Sequence, residues 1–446
     1  MKKLIMMAAA ALLFVAPAAQ AQRVNQEAIR AKLAKSDADI ADAKKSVKAA
    51  TWISRGKAYL DAASEPTRNI FAGMEAPMLK LAVGDALSMQ QETLNGTQFD
   101  VLVYPYFKAY VRDGKLAAWW QTREVGDNLI DEAIAAYAKA YELDPKSAPK
   151  IKDGLKQISD FCSQVGNSHL DLGNSKLAAE AYAKAYEAQS VPAFGGADPE
   201  LLFYAGYLET VNGANDPASF VLGADYLKRA IEQGYDGEDG VSYYYLFHCY
   251  YGQKEADRAN LQKAKQALLD GMAKYPQSER LIDGLMSLYT AEEGVGDPAD
   301  LIAMIEEAIA RDPQNVDMWF GRGRIYAALK NHDECIASFR RVTELNPEGF
   351  DGWFWTGWFH IEKGNALNDA LNEKPWTGEA AYNEELKAVN AVYMQAVPWL
   401  EKALELKPDD LNTVDYLKSL SFRLRDEEGM MDKYNKYNAL LQSLQQ

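Results

Sequence analysis

The chain has 446 residues, 48% of them hydrophobic, and is too long for one ordinary compact core. Ala, Leu, Glu and Lys dominate and β-branched runs are scarce, so the composition predicts a mainly helical protein built from stacked units. The net charge of −16 argues against nucleic acid and anionic membrane surfaces as partners, because like charges repel.

The first 21 residues are typical of a secretory signal peptide. Two lysines and an apolar run, 4–17, are followed by Ala19-Gln20-Ala21, so we expect cleavage after Ala21. A membrane anchor is the weaker interpretation, because this run is shorter than the roughly 20 residues that a bilayer requires. Cleavage would change the net charge from −16 to −18, because the segment carries two lysines and no acidic residue. We expect the mature chain to have no membrane span and to lie in a bacterial periplasm or against the outer membrane.

A lead-in helix is predicted within residues 22–48, which are charged and rich in alanine with apolar residues at helical spacing. A first helical pair is predicted within 49–145. It opens with Trp52, Gly56 and Tyr59, but the matching end of its second helix comes only at Pro145. We therefore expect an insertion, at about 64–126, to split this pair.

The inserted segment changes character along its length. Residues 69–92 have a helical pattern, and Asn95-Gly96 then marks a turn. Residues 99–120 are rich in Val, Tyr, Phe and Trp, with Asp113-Gly114 between two strand-like runs. Because this dipeptide suits a type I′ turn, the sequence predicts a small β-hairpin near 99–120.

The stretch 316–347 shows the repeating unit most clearly. Trp319, Gly323 and Tyr326 lie on one helical face, and Cys335 and Phe339 lie on one face of a second helix. This spacing, closed by a proline, is typical of a helix–turn–helix repeat of about 34 residues. The stretch resembles a tetratricopeptide repeat.

Similar spacing recurs through 146–347, which we interpret as the central array of these repeats. The next repeat, 348–408, is longer, and we expect a segment at about 365–391 to be inserted there, with the second helix extended backwards. Pro398 lies within that helix and is expected to kink it. Residues 409–446 suit capping helices because their outer side is polar. The resemblance thus implies an all-α, tetratricopeptide-like α-solenoid of about eight helix pairs with the small inserted hairpin.

Small residues are expected to control packing within each pair. Gly323 and its equivalents should leave room where the second helix presents a small residue such as Cys335, and Trp319 should fill the seam. Arg322 departs from the family pattern, in which a Leu-like residue is expected. The three cysteines, Cys162, Cys249 and Cys335, sit at positions that suit small apolar residues, so we expect buried thiols.

No catalytic, metal or cofactor site is predicted. The four histidines are scattered without metal-ligand spacing. His169 and His360 occupy the position of Tyr326, which favours packed imidazoles. The acidic stretch 236–240 lacks the alternation and terminal Glu of a calcium loop, which favours a solvated turn. We therefore expect a protein without enzymatic activity.

The resemblance implies a concave groove lined by the first helix of each pair. Carried onto this chain, the groove-facing positions fall on nine residues in three successive repeats. They are Arg280, Asp283, Ser287, Asp317, Phe320, Arg324, Asp351, Phe354 and Trp358. Large apolar and Arg side chains at such positions are typical of binding sites. The alternative, that the segment inserted in the 348–408 repeat folds over these residues and makes them core, stays open.

The leading functional hypothesis is a protein-interaction scaffold of the cell envelope, which binds a partner protein or peptide through this groove. The alternative is a glycan- or small-ligand-binding protein that uses its 25 Tyr and 9 Trp, which are concentrated near 104–120, 243–251 and 353–358. The sequence does not specify the partner or the oligomeric state.

Overall fold

The computed structural model describes residues 24–94, 96–376 and 378–445. The predicted signal peptide, 1–21, lies outside them. The described residues form 18 α-helices and one four-stranded antiparallel sheet. They divide into two compact units, the first ending at Tyr235 and the second beginning at Asp236. This boundary falls within the stretch 146–347 that the sequence predicts as one array.

The first unit contains eight helices and the sheet. Its helices are α1 (Gln26–Ala41), α2 (Ala49–Ser64), α3 (Ala76–Val83), α4 (Leu129–Leu143), α5 (Ala148–Asp171), α6 (Ser175–Ser190), α7 (Pro199–Asn212) and α8 (Pro217–Glu232). Its strands are β1 (Ser88–Leu94), β2 (Thr97–Val103), β3 (Phe107–Arg112) and β4 (Lys115–Gln121). Helix α2 packs on α4, so α3 and the sheet are inserted within one helical pair.

The sheet is larger than the predicted hairpin. Its order is β1-β2-β3-β4, and β3 and β4 meet at Asp113 and Gly114, whose φ angles of +52° and +75° fit the predicted turn. The predicted helical pattern of 69–92 is wrong outside α3, which ends at Val83 and is followed by Gly84 with φ +90°. Strand β1 follows although its sequence, SMQQETL, is poor in β-branched residues, because pairing with β2 overrides weak local propensity.

The paired helices approach each other closely at glycines. A large side chain of the neighbouring helix, not a small one, fills the space beside each glycine. A Cβ at Gly323 would lie 2.7 Å from the Phe339 ring, and a Cβ at Gly56 would lie 2.7 Å from the Tyr137 ring. Tyr137 is also the neighbour of Gly154, where a Cβ would lie 2.2 Å away. Each ring therefore lies directly against helix backbone, and close packing leaves no room for a side chain at the glycine.

The tryptophans that open the pairs make a recurring hydrogen bond. The indole N–H of Trp52 donates to the Ser46 carbonyl at 2.7 Å. Those of Trp319 and Trp353 donate to the carbonyls of Pro313 and Pro347, each at 3.0 Å. Every acceptor lies six residues before its tryptophan, so each bond ties the start of a first helix to the preceding turn. These rings are half-buried: Trp319 packs against the core of its helical pair, and part of its ring stays at the surface.

The second unit contains ten helices. They are α9 (Val241–Gly252), α10 (Ala259–Lys274), α11 (Glu279–Ala291), α12 (Pro298–Arg311), α13 (Val316–Ala328), α14 (His332–Leu345), α15 (Phe350–Glu373), α16 (Glu379–Leu406), α17 (Leu411–Arg423) and α18 (Met430–Leu444). Lengthening of both α15 and α16, not of the second helix alone, accommodates most of the extra residues in the 348–408 repeat. Helix α16 continues without a break through Pro398.

Arg322 is accommodated as a brace between three helices. Its guanidinium lies 2.8 Å from Glu306 on α12 and 2.8 Å from Glu334 on α14. It also donates to the hydroxyl of Ser338, and its guanidinium carbon lies over the Tyr326 ring, 4.6 Å from the ring centroid. The charge that departs from the family pattern is thus paired and hydrogen-bonded, as a buried charge must be.

The remaining candidate chemical groups are packed in the interior. All three cysteines are buried, as expected, and burial raises the pKa of the Cys162 thiol to about 12. His169 and His360 are buried as well, and burial lowers the pKa of His360 to about 4. Within the described ranges, no cluster of three or more His, Cys, Asp or Glu side chains is arranged to hold a metal ion.

Candidate binding face on the first helices

The nine residues predicted to line the groove all lie in the second unit, on α11, α13 and α15. We call them, together with the side chains they contact on the same helices and on α17, the first-helix face. Five of the nine are exposed: Arg280, Asp283, Ser287, Asp317 and Asp351. The other four are half-buried: Phe320, Arg324, Phe354 and Trp358. The face therefore combines an exposed, largely acidic set with a half-buried aromatic and cationic set.

Arg324 joins three of these helices. Its guanidinium lies 3.4 Å from the Glu279 carboxylate on α11 and 4.1 Å from the centroid of the Trp355 ring on α15. On its own helix it lies 5.6 Å from the Phe320 ring. Arginine over an aromatic face combines a cation–π attraction with stacking, so the side chain is held in one orientation.

The guanidinium of Arg324 does not use all of its hydrogen-bond donors. The side chain is 17% exposed, and its Nε atom is buried without a hydrogen-bond partner among the described residues. Glu279, its ionic partner, is 64% exposed and so is well solvated. Arg324 is thus a cation held in one orientation beside aromatic rings, and the exposed part of its guanidinium suits a carboxylate or carbonyl acceptor.

An aromatic cluster continues the face from α15 to α17. Trp358 and Phe354 both contact Tyr416, with centroid distances of 4.6 Å and 6.1 Å. Phe354 also meets Trp355 edge to face at 5.3 Å. These rings are half-buried rather than enclosed, so they retain exposed apolar surface while packing against their neighbours.

The opposite end of the face is more polar. Arg280 on α11 lies 5.9 Å from the ring of Tyr244 on α9. Asp283 and Ser287 follow on the same helix and are exposed. An acidic edge thus adjoins the aromatic region, with Asp317 and Asp351 exposed on the following first helices.

The carried-over positions omit four contacting residues: Tyr244, Glu279, Trp355 and Tyr416. Two of them share a position and residue type that could have been recognised in the sequence. Trp355 and Tyr416 each lie five residues after the first residue of their helices, and both are large aromatics at that position. Glu279 has no such signal, because a charged residue at the first position of a helix is ordinary.

Several aromatic residues singled out for sugar stacking are not available at the surface. Tyr104, Phe107, Tyr110 and Trp119 are buried within and around the inserted sheet, and Tyr243 is buried on α9. Of the three aromatic stretches named above, 353–358 contributes most to the first-helix face.

Comparisons with known proteins agree with the repeat pattern. The model of the tetratricopeptide repeat matches residues 316–348, the stretch that carries α13 and α14. No curated protein matches the chain. Among the described residues, no helix is both long and apolar enough to cross a bilayer.

Solved structures of helical-repeat proteins are distantly similar. The crystal structure of MamA is 15% identical, with 44% of this chain and 93% of that chain covered and a TM-score of 0.27. A TPR repeats protein from Bacteroides fragilis is 15% identical over 59% of this chain and 98% of its own, with a TM-score of 0.26. The C-terminal part of a TPR repeat-containing protein from Cytophaga hutchinsonii is 13% identical over 64% and 95%, with a TM-score of 0.32. Residues 316–348 thus match a tetratricopeptide repeat, and they lie in a chain of recurring helical pairs.

Proposed function

We propose that the chain is a non-enzymatic scaffold of the cell envelope, and that the first-helix face of its second unit binds a partner protein or peptide. The observation that carries the proposal is the half-buried set of Arg324, Trp355, Phe354, Trp358 and Tyr416. Aromatic and arginine side chains that are fixed by their neighbours bind at low cost in side-chain entropy, as in known interaction hot spots.

The chemistry of this face specifies the kind of ligand. An apolar or aromatic side chain of the partner would pack against Phe354 and Trp358, and an acceptor group would bind the exposed part of the Arg324 guanidinium. Exposed Asp283, Asp317 and Asp351 would favour a basic residue nearby, because unlike charges steer association. The proposed ligand is therefore a peptide segment with an apolar anchor flanked by a basic residue.

Cross-linking in cells tests the face directly. A photo-cross-linking amino acid is placed at Ser287, Asp317 or Asp351, and as a matched control at Ala337 or Glu344, which are exposed on the second helix α14. The proposal expects the same partner band from the first-helix positions and not from α14. Equal bands from both sets, or none from the first-helix set, would overturn it.

A variant then tests the anchor residues. Trp358→Ala in the Asp351 cross-linking background should remove most of the partner band while the far-ultraviolet circular dichroism stays helical. Arg340→Ala, on α14, serves as the control and should leave the band unchanged. Persistence of the full band in the Trp358→Ala variant would place the interaction elsewhere.

The envelope location rests on residues 1–21, and fractionation tests it. The mature chain should appear in the periplasmic or outer-membrane fraction with Gln22 as its first residue, measured by N-terminal sequencing. Recovery of uncleaved chain from the cytosol would contradict this part of the proposal.

A further inference from the structure

The inserted sheet has two edges, and only one of them is covered. Strand β4 is covered on its outer side: the Leu116 N–H donates to the Met74 carbonyl at 2.7 Å, and the Gly73 N–H donates to the Leu116 carbonyl at 2.7 Å. Farther along β4, the Ser168 hydroxyl bridges the N–H and carbonyl of Trp119 at 2.6 Å and 2.7 Å. The polar backbone of this edge is therefore satisfied.

The other edge, strand β1, is open. Among the described residues β1 pairs only with β2, in an unbroken register from Ser88–Val103 to Leu94–Thr97. Five of its seven residues are exposed, and Met89 is 69% exposed. An edge strand of this length presents a row of unpaired N–H and C=O groups to solvent.

Devices that normally protect an open edge are missing from β1. The strand has no proline, lysine or arginine and no bulge. Its one charged residue, Glu92, is already paired: Lys108 lies 2.8 Å away and Gln90 donates to the same oxygen at 2.6 Å. The edge is thus flat and nearly uncharged, which favours the addition of another strand.

We propose that β1 pairs antiparallel with β1 of a second copy of this chain, joining two four-stranded sheets across a two-fold axis at Gln91. A two-fold axis normal to an antiparallel pair relates each residue to the residue opposite it, so one residue must face its own copy. An axis at Gln91 pairs all seven residues of β1. It also places Glu92 opposite Gln90, whereas an axis at Glu92 would place two carboxylates face to face.

The same register pairs the exposed side chains favourably. Met89 of one copy lies opposite Thr93 of the other, on the sheet face that carries Leu102 and Ala109. The two Gln91 side chains, each hydrogen-bonded to Asp100 and Gln98 of its own sheet, face each other on the axis. A second copy therefore fits as the occupant, because β1 can pair with itself along its whole length without placing like charges opposite each other.

Cysteine substitution tests the register. In Gln91→Cys the two thiols face each other across the axis, so mild oxidation with copper phenanthroline should form an intermolecular disulfide. Gln98→Cys is the matched control, because Gln98 is exposed on β2, one strand farther from the axis, and should not cross-link. The three native cysteines are buried and do not interfere.

Charge substitution tests the dimer without a cross-link. Gln91→Glu places two carboxylates face to face only in the proposed register, and Asp100 beside it cannot neutralise them, so it should weaken the dimer at least tenfold, measured by sedimentation equilibrium. Gln98→Glu, which adds a carboxylate to the same sheet face one strand from the axis, should leave the dimer unchanged. A chain that is monomeric at all concentrations, a dimer insensitive to Gln91→Glu, or a Gln91→Cys chain that cross-links only to a different protein would each overturn the proposal.

Discussion

The guanidinium of Arg322 donates to the hydroxyl of Ser338 at 2.7 Å, and this hydrogen bond connects α13 to α14 beneath the Tyr326 ring. The Ser338 hydroxyl in turn donates to the Glu334 carbonyl at 2.7 Å. Because Arg322 also pairs with Glu306 and Glu334, one side chain links α12, α13 and α14.

Replacing Arg322 should show how much this brace contributes. Arg322→Ala removes two ion pairs and leaves a gap, so we expect a loss of about 2–4 kcal/mol in the free energy of unfolding, measured by urea denaturation. Arg322→Met keeps the volume and approaches the Leu-like residue of the family, so it should cost less than half as much. Arg311→Ala is the control, because the Arg311–Glu307 pair is exposed and such pairs contribute little. Equal losses for Arg311→Ala and Arg322→Ala would contradict the bracing role.

A methyl group at Gly323 should disturb the contact with Phe339. A Cβ there would lie 2.7 Å from the ring, an overlap that costs about 1–3 kcal/mol, while alanine gains roughly 1 kcal/mol in helix propensity. We expect Gly323→Ala to be net destabilising in thermal unfolding. In a Phe339→Leu background the same substitution should be better tolerated. If Gly323→Ala costs the same stability in both backgrounds, the Phe339 ring does not restrict the side chain at position 323.

The indole hydrogen bond of Trp319 should be separable from the packing of its ring. Trp319→Phe removes the donor to the Pro313 carbonyl, so we expect a loss of about 1 kcal/mol from the bond plus a smaller packing loss. Trp319→Ala should cost more, yet less than the 3–5 kcal/mol of a fully buried tryptophan, because the ring is half-buried. Chemical denaturation of both variants measures the difference. No destabilisation of Trp319→Phe would show that water replaces the bond without loss.

Mild acid should destabilise the chain through His360. Burial, followed by the charges of Lys363 and Arg340, lowers the pKa of this imidazole to about 4. Because the unfolded chain binds the proton near pH 6.5, stability is complete above that value and falls as the pH decreases from 6.5 to 4. The loss is on the order of 3 kcal/mol at most, since one pKa unit corresponds to about 1.4 kcal/mol.

Thermal unfolding of wild type and His360→Tyr at pH 7.5 and pH 5 checks this expectation. Tyrosine occupies the equivalent position in the 316–347 repeat, so the variant should fold and should lose less stability between the two pH values. The same pH dependence in both proteins would show that His360 is not the titrating group.

Much of the helical pairing could be predicted because it depends on local spacing. Trp52, Gly56 and Tyr59 repeat the spacing of Trp319, Gly323 and Tyr326, and Asp113-Gly114 forms the turn that its conformational preference requires. Turn chemistry and helical periodicity are properties of a few neighbouring residues, so they are visible without the tertiary structure.

Features that depend on contacts with residues elsewhere in the chain could not be predicted from the sequence. Strand β1 exists because β2 lies beside it, and its Gln- and Glu-rich sequence gives no strand signal of its own. Trp355 and Tyr416 join the first-helix face through contacts between helices that are far apart in sequence. The sequence also predicts the wrong residue opposite Gly323, Cys335 instead of Phe339, since spacing within one helix does not show which side chain of the other helix approaches it.

The tryptophan hydrogen bonds have a consequence for how this chain accommodates added sequence. Each bond fixes the junction between one helical pair and the preceding turn, whereas both enlargements of the chain lie inside a pair: the sheet between α2 and α4, and the lengthened α15 and α16. Residues that are inserted within a pair do not change the spacing between successive pairs. The turn between α15 and α16 is therefore a position where a foreign domain can be grafted while the Trp353-anchored joint before α15 keeps its spacing.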